Sequence, residues 1–105
     1  MKTLLISRHP GAVDWLRRRF NVTHARVVAH LDVATLEPED RVIGTLPVQA
    51  IAEVWARGAV YYHLSIPMPA NRRGQELTAD DLDVFGAKLA CFYAEPRPQN
   101  DPLLR

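Results

Sequence analysis

The sequence predicts a small α/β fold. The expected form is a three-layer, Rossmann-like domain on a mainly parallel four-stranded sheet, in the order 2-1-3-4, with flanking helices. Three observations predict it. Short apolar runs suited to buried strands alternate with stretches whose apolar residues recur at helical spacing. The succession strand-helix-strand-strand-helix-strand-helix is that of a parallel sheet joined by crossover helices. Two helices follow strands through short polar turns, as in open α/β sheets that bind ligands at the strands' carboxyl ends.

The first strand is Thr3 to Ser7, a nearly continuous apolar run. A helix follows over residues 10–20, with Pro10 at its first position and Val13, Leu16 and Phe20 on one stripe. Arg17, Arg18 and Arg19 read as its solvated face. Residues 25–30 form the second strand, and Leu31 to Asp40 an acidic loop carrying Pro38. A short third strand spans 41–45. A second helix over 46–57 presents Val48, Ile51, Ala52 and Trp55, with Thr45 as N-cap, Pro47 in the first turn and Gly58 as the stop. Residues 60–66 form the fourth strand, and Pro67 to Gln75 a polar loop. The third helix is expected over 79–93, capped by Thr78 with Asp81 three residues on. Its stripe is Leu82, Phe85, Leu89 and Phe92, with Cys91 beside it as an inert core thiol. Residues 1–95 then make one domain. Residues 96–105, with three prolines, make a loose tail.

Composition narrows the classes of function. A chain of 105 residues, 48% of them hydrophobic, suffices for one core. The formal net charge of +1 provides no general basic field for DNA or RNA, and duplex DNA is not expected as a partner. Recognition of a polyanion must therefore be local. The single cysteine excludes an internal disulfide and suits a reducing compartment. Met1 and Lys2 lead straight into a strand, and no signal or membrane-spanning segment is evident, so a cytoplasmic location is expected.

The candidate site is the turn Ser7-Arg8-His9-Pro10-Gly11. A strand feeding a helix through such a turn exposes backbone N–H groups and the positive helix end to an anion. Arg8 adds a permanent bidentate donor, and His9 a proton carrier near neutral pH. The plain alternative is an arginine paired with a carboxylate and a histidine that caps the helix. In a 2-1-3-4 sheet the switch point lies between the first and third strands. There the first turn meets a second, Gly44-Thr45-Leu46-Pro47. Thr45 suits both an N-cap and a phosphate ligand. Ser65, at the end of the fourth strand, would line the same rim or simply end the strand. Arg72 and Arg73, beside Gly74, would form a lid over an anion or a solvated turn. Asp32 suits an Asx-turn, or a place on the rim where, with three imidazoles, it could hold a metal. His9, His30 and His63 all fall near strand ends, but without the i, i+4 pairing of a metal site. No metal or other cofactor is expected.

Four blocks in order carry a family resemblance. Leu5 to Ala12, His30-Leu31-Asp32, Val42 to Val48, and His63-Leu64-Ser65 with Arg73 to Asp81 resemble the small CRISPR-associated proteins of the Csx-sixteen family. The resemblance spans residues 3 to about 93. It implies a role in type III CRISPR defence, where cyclic oligoadenylates act as signals, and a reduced form of the Rossmann-like CARF sensor domain acting as a homodimer. It further implies a ring nuclease that cleaves cyclic tetra-adenylate without a metal. Arg8 and His9 would be catalytic. Ser7, Pro10, Gly11, Asp32, Gly44, Thr45, Leu46, Ser65, Arg72 and Arg73 would bind the ring. Besides a plain interaction protein of the defence complex, in which the turn serves only to cap helices, two other readings stand beside it. One is a binding protein that sequesters or senses the ring without chemistry. The other is a phosphohydrolase, since Arg8-His9-Pro10-Gly11 also resembles the Arg-His-Gly turn of histidine phosphatases. Pro10 replaces the glycine of that turn, and the domain is much smaller.

Overall fold

A computed structural model describes residues 1–105. β1 (Thr3–Ile6), β2 (Arg26–Val28), β3 (Arg41–Gly44), β4 (Val60–Ser65) and β5 (Lys88–Cys91) form one sheet in the order β2-β1-β3-β4-β5. β1 runs parallel to β2 and β3, with Leu5 opposite both Val27 and Ile43. β3 runs parallel to β4, with Gly44 opposite His63. β5 is antiparallel to β4, with Leu64 opposite Leu89. The four-stranded sheet is thus corrected to a mixed sheet of five. Its first four strands keep the expected order.

The fifth strand comes from the segment expected as the second half of a helix. α3 spans only Ala79–Phe85 and ends at Gly86, in the left-handed conformation at φ 76°. That backbone suits glycine and stops the helix. Leu89 then faces the core as a strand residue, and Cys91 lies on the edge strand, exposed to solvent rather than in the core. At the other end of α3, Thr78 and Asp81 form the expected capping box.

α1 (Pro10–Arg19) and α3 cover one face of the sheet, and α2 (Val48–Ala56) covers the other. Alternation along each strand assigns the faces. Leu5, Ile43 and Leu64 pack with Trp15, Leu16 and Leu82 under α1 and α3. Leu4, Val42 and Tyr61 pack with Ile51 and Val54 under α2. The expected stripes shift accordingly. Trp15 is buried in α1 and its indole Nε1–H donates to Asp83 on α3 at 2.7 Å, whereas Phe20 is partly exposed. In α2, Val54 is buried and Val48 is exposed. Gly58 follows the α2 C-cap, as expected. No helix is long and apolar enough to cross a membrane.

One carboxylate is buried. Asp40, just before β3, accepts hydrogen bonds from the backbone N–H of Lys2 and Glu37, each at 2.9 Å, and from Lys2 Nζ at 2.6 Å. Burial pushes its carboxyl up. The Lys2 ammonium and the two N–H donors outweigh that effect and hold its pKa at about 2. This staple fixes the entry to β1 against the entry to β3, at the end of the sheet opposite the two turns.

Candidate functional site

β1 ends at Ile6, and Ser7 turns the chain away from the sheet while its N–H still bonds the Val28 carbonyl at 3.0 Å. The Ser7 hydroxyl accepts the His9 N–H at 3.1 Å, a local side-chain turn that sets the angle at which α1 departs. His9 is the N-cap, but through its backbone. Its carbonyl accepts the N–H of Ala12 and Val13, and its ring makes no cap bond. The imidazole is therefore free for other work. Pro10 has no N–H, and the N–H of Gly11 has no partner in the protein. Arg8 is exposed and enters none of the ion pairs.

The second turn is held from beneath. Tyr61 on β4 is fully buried. Its hydroxyl lies 2.9 Å from the Gly44 carbonyl, 2.9 Å from the Leu46 N–H and 2.7 Å from His63 Nδ1. It accepts from the Leu46 N–H and donates to the Gly44 carbonyl, and it can also accept from His63 in the imidazole tautomer that carries its proton on Nδ1. Burial raises the phenol pKa above its ordinary value, partly opposed by the Leu46 N–H bond, so the hydroxyl keeps its proton. Thr45, at the tip, is exposed and does not cap α2. The N-cap is Pro47, whose φ of −66° already suits a helix entry. The threonine hydroxyl is thereby left unused.

The two turns meet across β1 and β3 at the predicted switch point. Between them lies a cleft of about 310 Å³. Leu5, Ile43 and Leu64 give it an apolar floor, while Ser7, Arg8, His9, Gly44, Thr45 and Leu46 form its rim. That volume is at the lower end of the range for small-molecule sites. The cleft combines a free guanidinium, an unrestrained imidazole, a hydroxyl and an apolar floor, and suits a ligand with an anionic group attached to a flat apolar body.

The other candidate residues lie elsewhere. Pro10 lines a separate groove on the outer side of α1. Gly11 lines neither cavity, because the backbone of Leu77 and Thr78 crosses directly over its Cα. Asp32 accepts the Ala34 N–H at 3.1 Å and caps a short 3₁₀ turn, Val33–Thr35. Ser65 pairs with Lys88 on β5 and does not line the cleft. Arg72 bonds Gln75 and Asp81 and lies over the Phe85 ring, so it closes the 67–78 loop onto α3 instead of swinging free. Arg73 is exposed, outside the cleft. His30 is exposed, whereas His63 faces α2. No group of three His, Cys, Asp or Glu side chains is placed to hold a metal ion.

The sequence reading missed Tyr61. Its signal was a tyrosine inside a buried parallel strand, where the hydroxyl must find a partner. Among family models, one described as "Putative CRISPR-associated protein (Cas_VVA1548)" matches residues 4–95. The chain belongs to this CRISPR-associated family. The match takes in both turns of the cleft, the Tyr61 support beneath the second and the whole of β5. No curated protein and no solved structure matches this CRISPR-associated chain.

Proposed function

We propose that the protein is a ring nuclease, which binds a cyclic oligoadenylate, cyclic tetra-adenylate first, and opens it to end a type III CRISPR signal. The observation that carries this reading is the convergence of Arg8 and His9 with the Gly44-Thr45-Leu46 turn on one cleft, in a chain of a CRISPR-associated family. An RNA linkage brings its own nucleophile, the neighbouring 2′-hydroxyl. That oxygen attacks phosphorus, the 5′-oxygen leaves, and a 2′,3′-cyclic phosphate remains on the product. The enzyme must align attacking and leaving oxygens and stabilise charge on the phosphoryl oxygens. Arg8, the free cation on the cleft rim, supplies that charge stabilisation. His9 takes the 2′-hydroxyl proton or gives one to the leaving oxygen. Ser7 and Thr45 orient ribose or phosphate. The small size of the cleft favours one nucleotide unit per chain, so that a two-fold dimer shares one ring.

A second reading, binding without cleavage, is favoured by one observation. The His9 ring has no hydrogen-bond partner to orient it as a base. One experiment separates the two. The protein is incubated with cyclic tetra-adenylate in excess chelator, and binding and products are followed. Linear products ending in a 2′,3′-cyclic phosphate are expected. Intact ring with binding retained would establish the sequestering role, activity lost on chelation would overturn the metal-independent route, and no binding to any ring of three, four or six adenylates would overturn both readings.

A further inference from the structure

A groove of about 390 Å³ runs along the outer side of α1, separated from the cleft by the Ser7-Arg8-His9 ridge that lines both. Pro10, Val13, Asp14 and Arg17 form its helical wall, at i, i+3, i+4 and i+7. Val27 forms the opposite wall. It lies on β2, at the sheet edge, and is 39% exposed. The three consecutive arginines of α1 divide between tasks. Arg18 bonds Asp14 at 3.0 Å and Asp80 at 3.1 Å, and Arg19 bonds Asp83 at 3.1 Å. Arg17 enters no ion pair, and the groove's only carboxylate, Asp14, is occupied by Arg18. Arg8 at one end and Arg17 at the other are thus two uncompensated cations, joined by an apolar strip of Val13 and Val27. Arg17 lies seven positions along the helix from Pro10, about 10 Å along the axis. Two cations at opposite ends of an apolar wall match a single-stranded oligonucleotide, whose charges repeat along a backbone and whose bases and sugars need an apolar surface.

We propose that this groove is a second subsite for a single-stranded oligonucleotide, in which Arg17 holds the phosphodiester next to the one at Arg8. The inference rests on the premise of the preceding reading that the ligand is an RNA phosphodiester, but it does not require that the ligand be cyclic or be cleaved. The ligand straddles the Ser7-Arg8-His9 ridge, with one linkage over the cleft and its neighbour over the groove. Arg17 therefore determines preference for chain length and leaves the chemistry at Arg8 and His9 alone.

The test uses two linear probes with free terminal hydroxyls, ApA with one phosphodiester and ApApA with two. Their affinities are measured by calorimetry over a range of salt for the native chain, Arg17→Ala and Arg18→Ala, with circular dichroism to confirm folding. The native chain should bind ApApA about tenfold more tightly than ApA, the worth of one charged hydrogen-bonded contact. Arg17→Ala should abolish that advantage, leave ApA affinity unchanged and lower the salt slope for ApApA by about 0.7. Arg18→Ala should retain the advantage. Equal affinity for the two probes in the native chain, or an advantage that survives Arg17→Ala, would overturn the subsite. Dependence on Arg17 with no binding of cyclic tetra-adenylate would sustain the subsite and overturn the ring reading. Ring cleavage combined with an advantage untouched by Arg17→Ala would do the reverse.

Discussion

The Cα of Gly11 faces the carbonyl of Leu77 so closely that a Cβ at Gly11 would lie 1.9 Å from that oxygen. The glycine of the first turn is required by packing: it lets the segment leading into α3 cross the first turn of α1. Gly11→Ala forces one backbone from the other and should destabilise the fold by about 1–3 kcal/mol or more. Chemical denaturation checks this. An unchanged midpoint would mean that the 77–78 segment is not seated on α1.

Tyr61→Phe removes a hydroxyl that bonds both the Gly44 carbonyl and the Leu46 N–H while leaving the ring in the core. The Leu46 N–H loses its partner, at a cost of about 1–3 kcal/mol. The second turn loses its support, so affinity for oligoadenylate should fall as well. Ring binding by the folded variant provides the check. Native affinity in Tyr61→Phe would show that the turn holds its shape without the hydroxyl.

Arg8 and His9 are exposed and make no side-chain contacts that the fold depends on. Alanine at either position should shift stability by no more than about 0.5 kcal/mol. Under the proposed ring-nuclease reading, their effects on ring opening should differ. Arg8→Ala should slow it on the order of 10²–10³-fold, as expected for loss of a donor to developing charge. His9→Ala should cost less, since the substrate supplies its own nucleophile. Single-turnover rates with saturating protein separate this from weaker binding. A larger loss at His9 than at Arg8 would make proton transfer the dominant contribution.

Acid should weaken the fold through Asp40. Its folded pKa of about 2 lies below the ordinary carboxylate value, so the fold favours the charged form. The stabilisation is complete above about pH 5 and is lost as pH falls through about 4 towards 2. The shift corresponds to about 2 kcal/mol. Asp40→Asn should be less stable at neutral pH and should flatten the acid limb of stability against pH. An acid limb identical to that of the native chain would assign the acid sensitivity to other carboxylates.

The two turns that flank the cleft were legible because they are local, although six of the candidate residues lie outside it. Ser7 to Gly11 and Gly44 to Pro47 are continuous turns at strand ends, and the parallel topology that joins them follows from alternating strand and helix patterns. The misreadings arose where local spacing fits two structures. Leu82, Phe85, Leu89 and Phe92 suit a continuing helix, but Gly86 takes a left-handed backbone and the later residues alternate as a strand. Thr45 has the chemistry of an N-cap, yet Pro47 has the backbone for one. The functions of Tyr61 and Gly11 were hidden for a different reason. Each depends on a backbone atom far away in sequence, at Gly44 and Leu46 for Tyr61 and at Leu77 for Gly11.

The antiparallel direction of β5 also gives the molecule a usable handle. Lys88 stands opposite Ser65, at the end of β4 nearer the cleft, whereas Cys91 stands opposite Tyr62, about 10 Å back along the strand. The chain's one thiol is exposed there and faces solvent. A maleimide dye or surface tether at Cys91 would attach at a single site and leave both the cleft and the α1 groove uncovered, so captured molecules can be titrated with oligoadenylates while presenting the same open face.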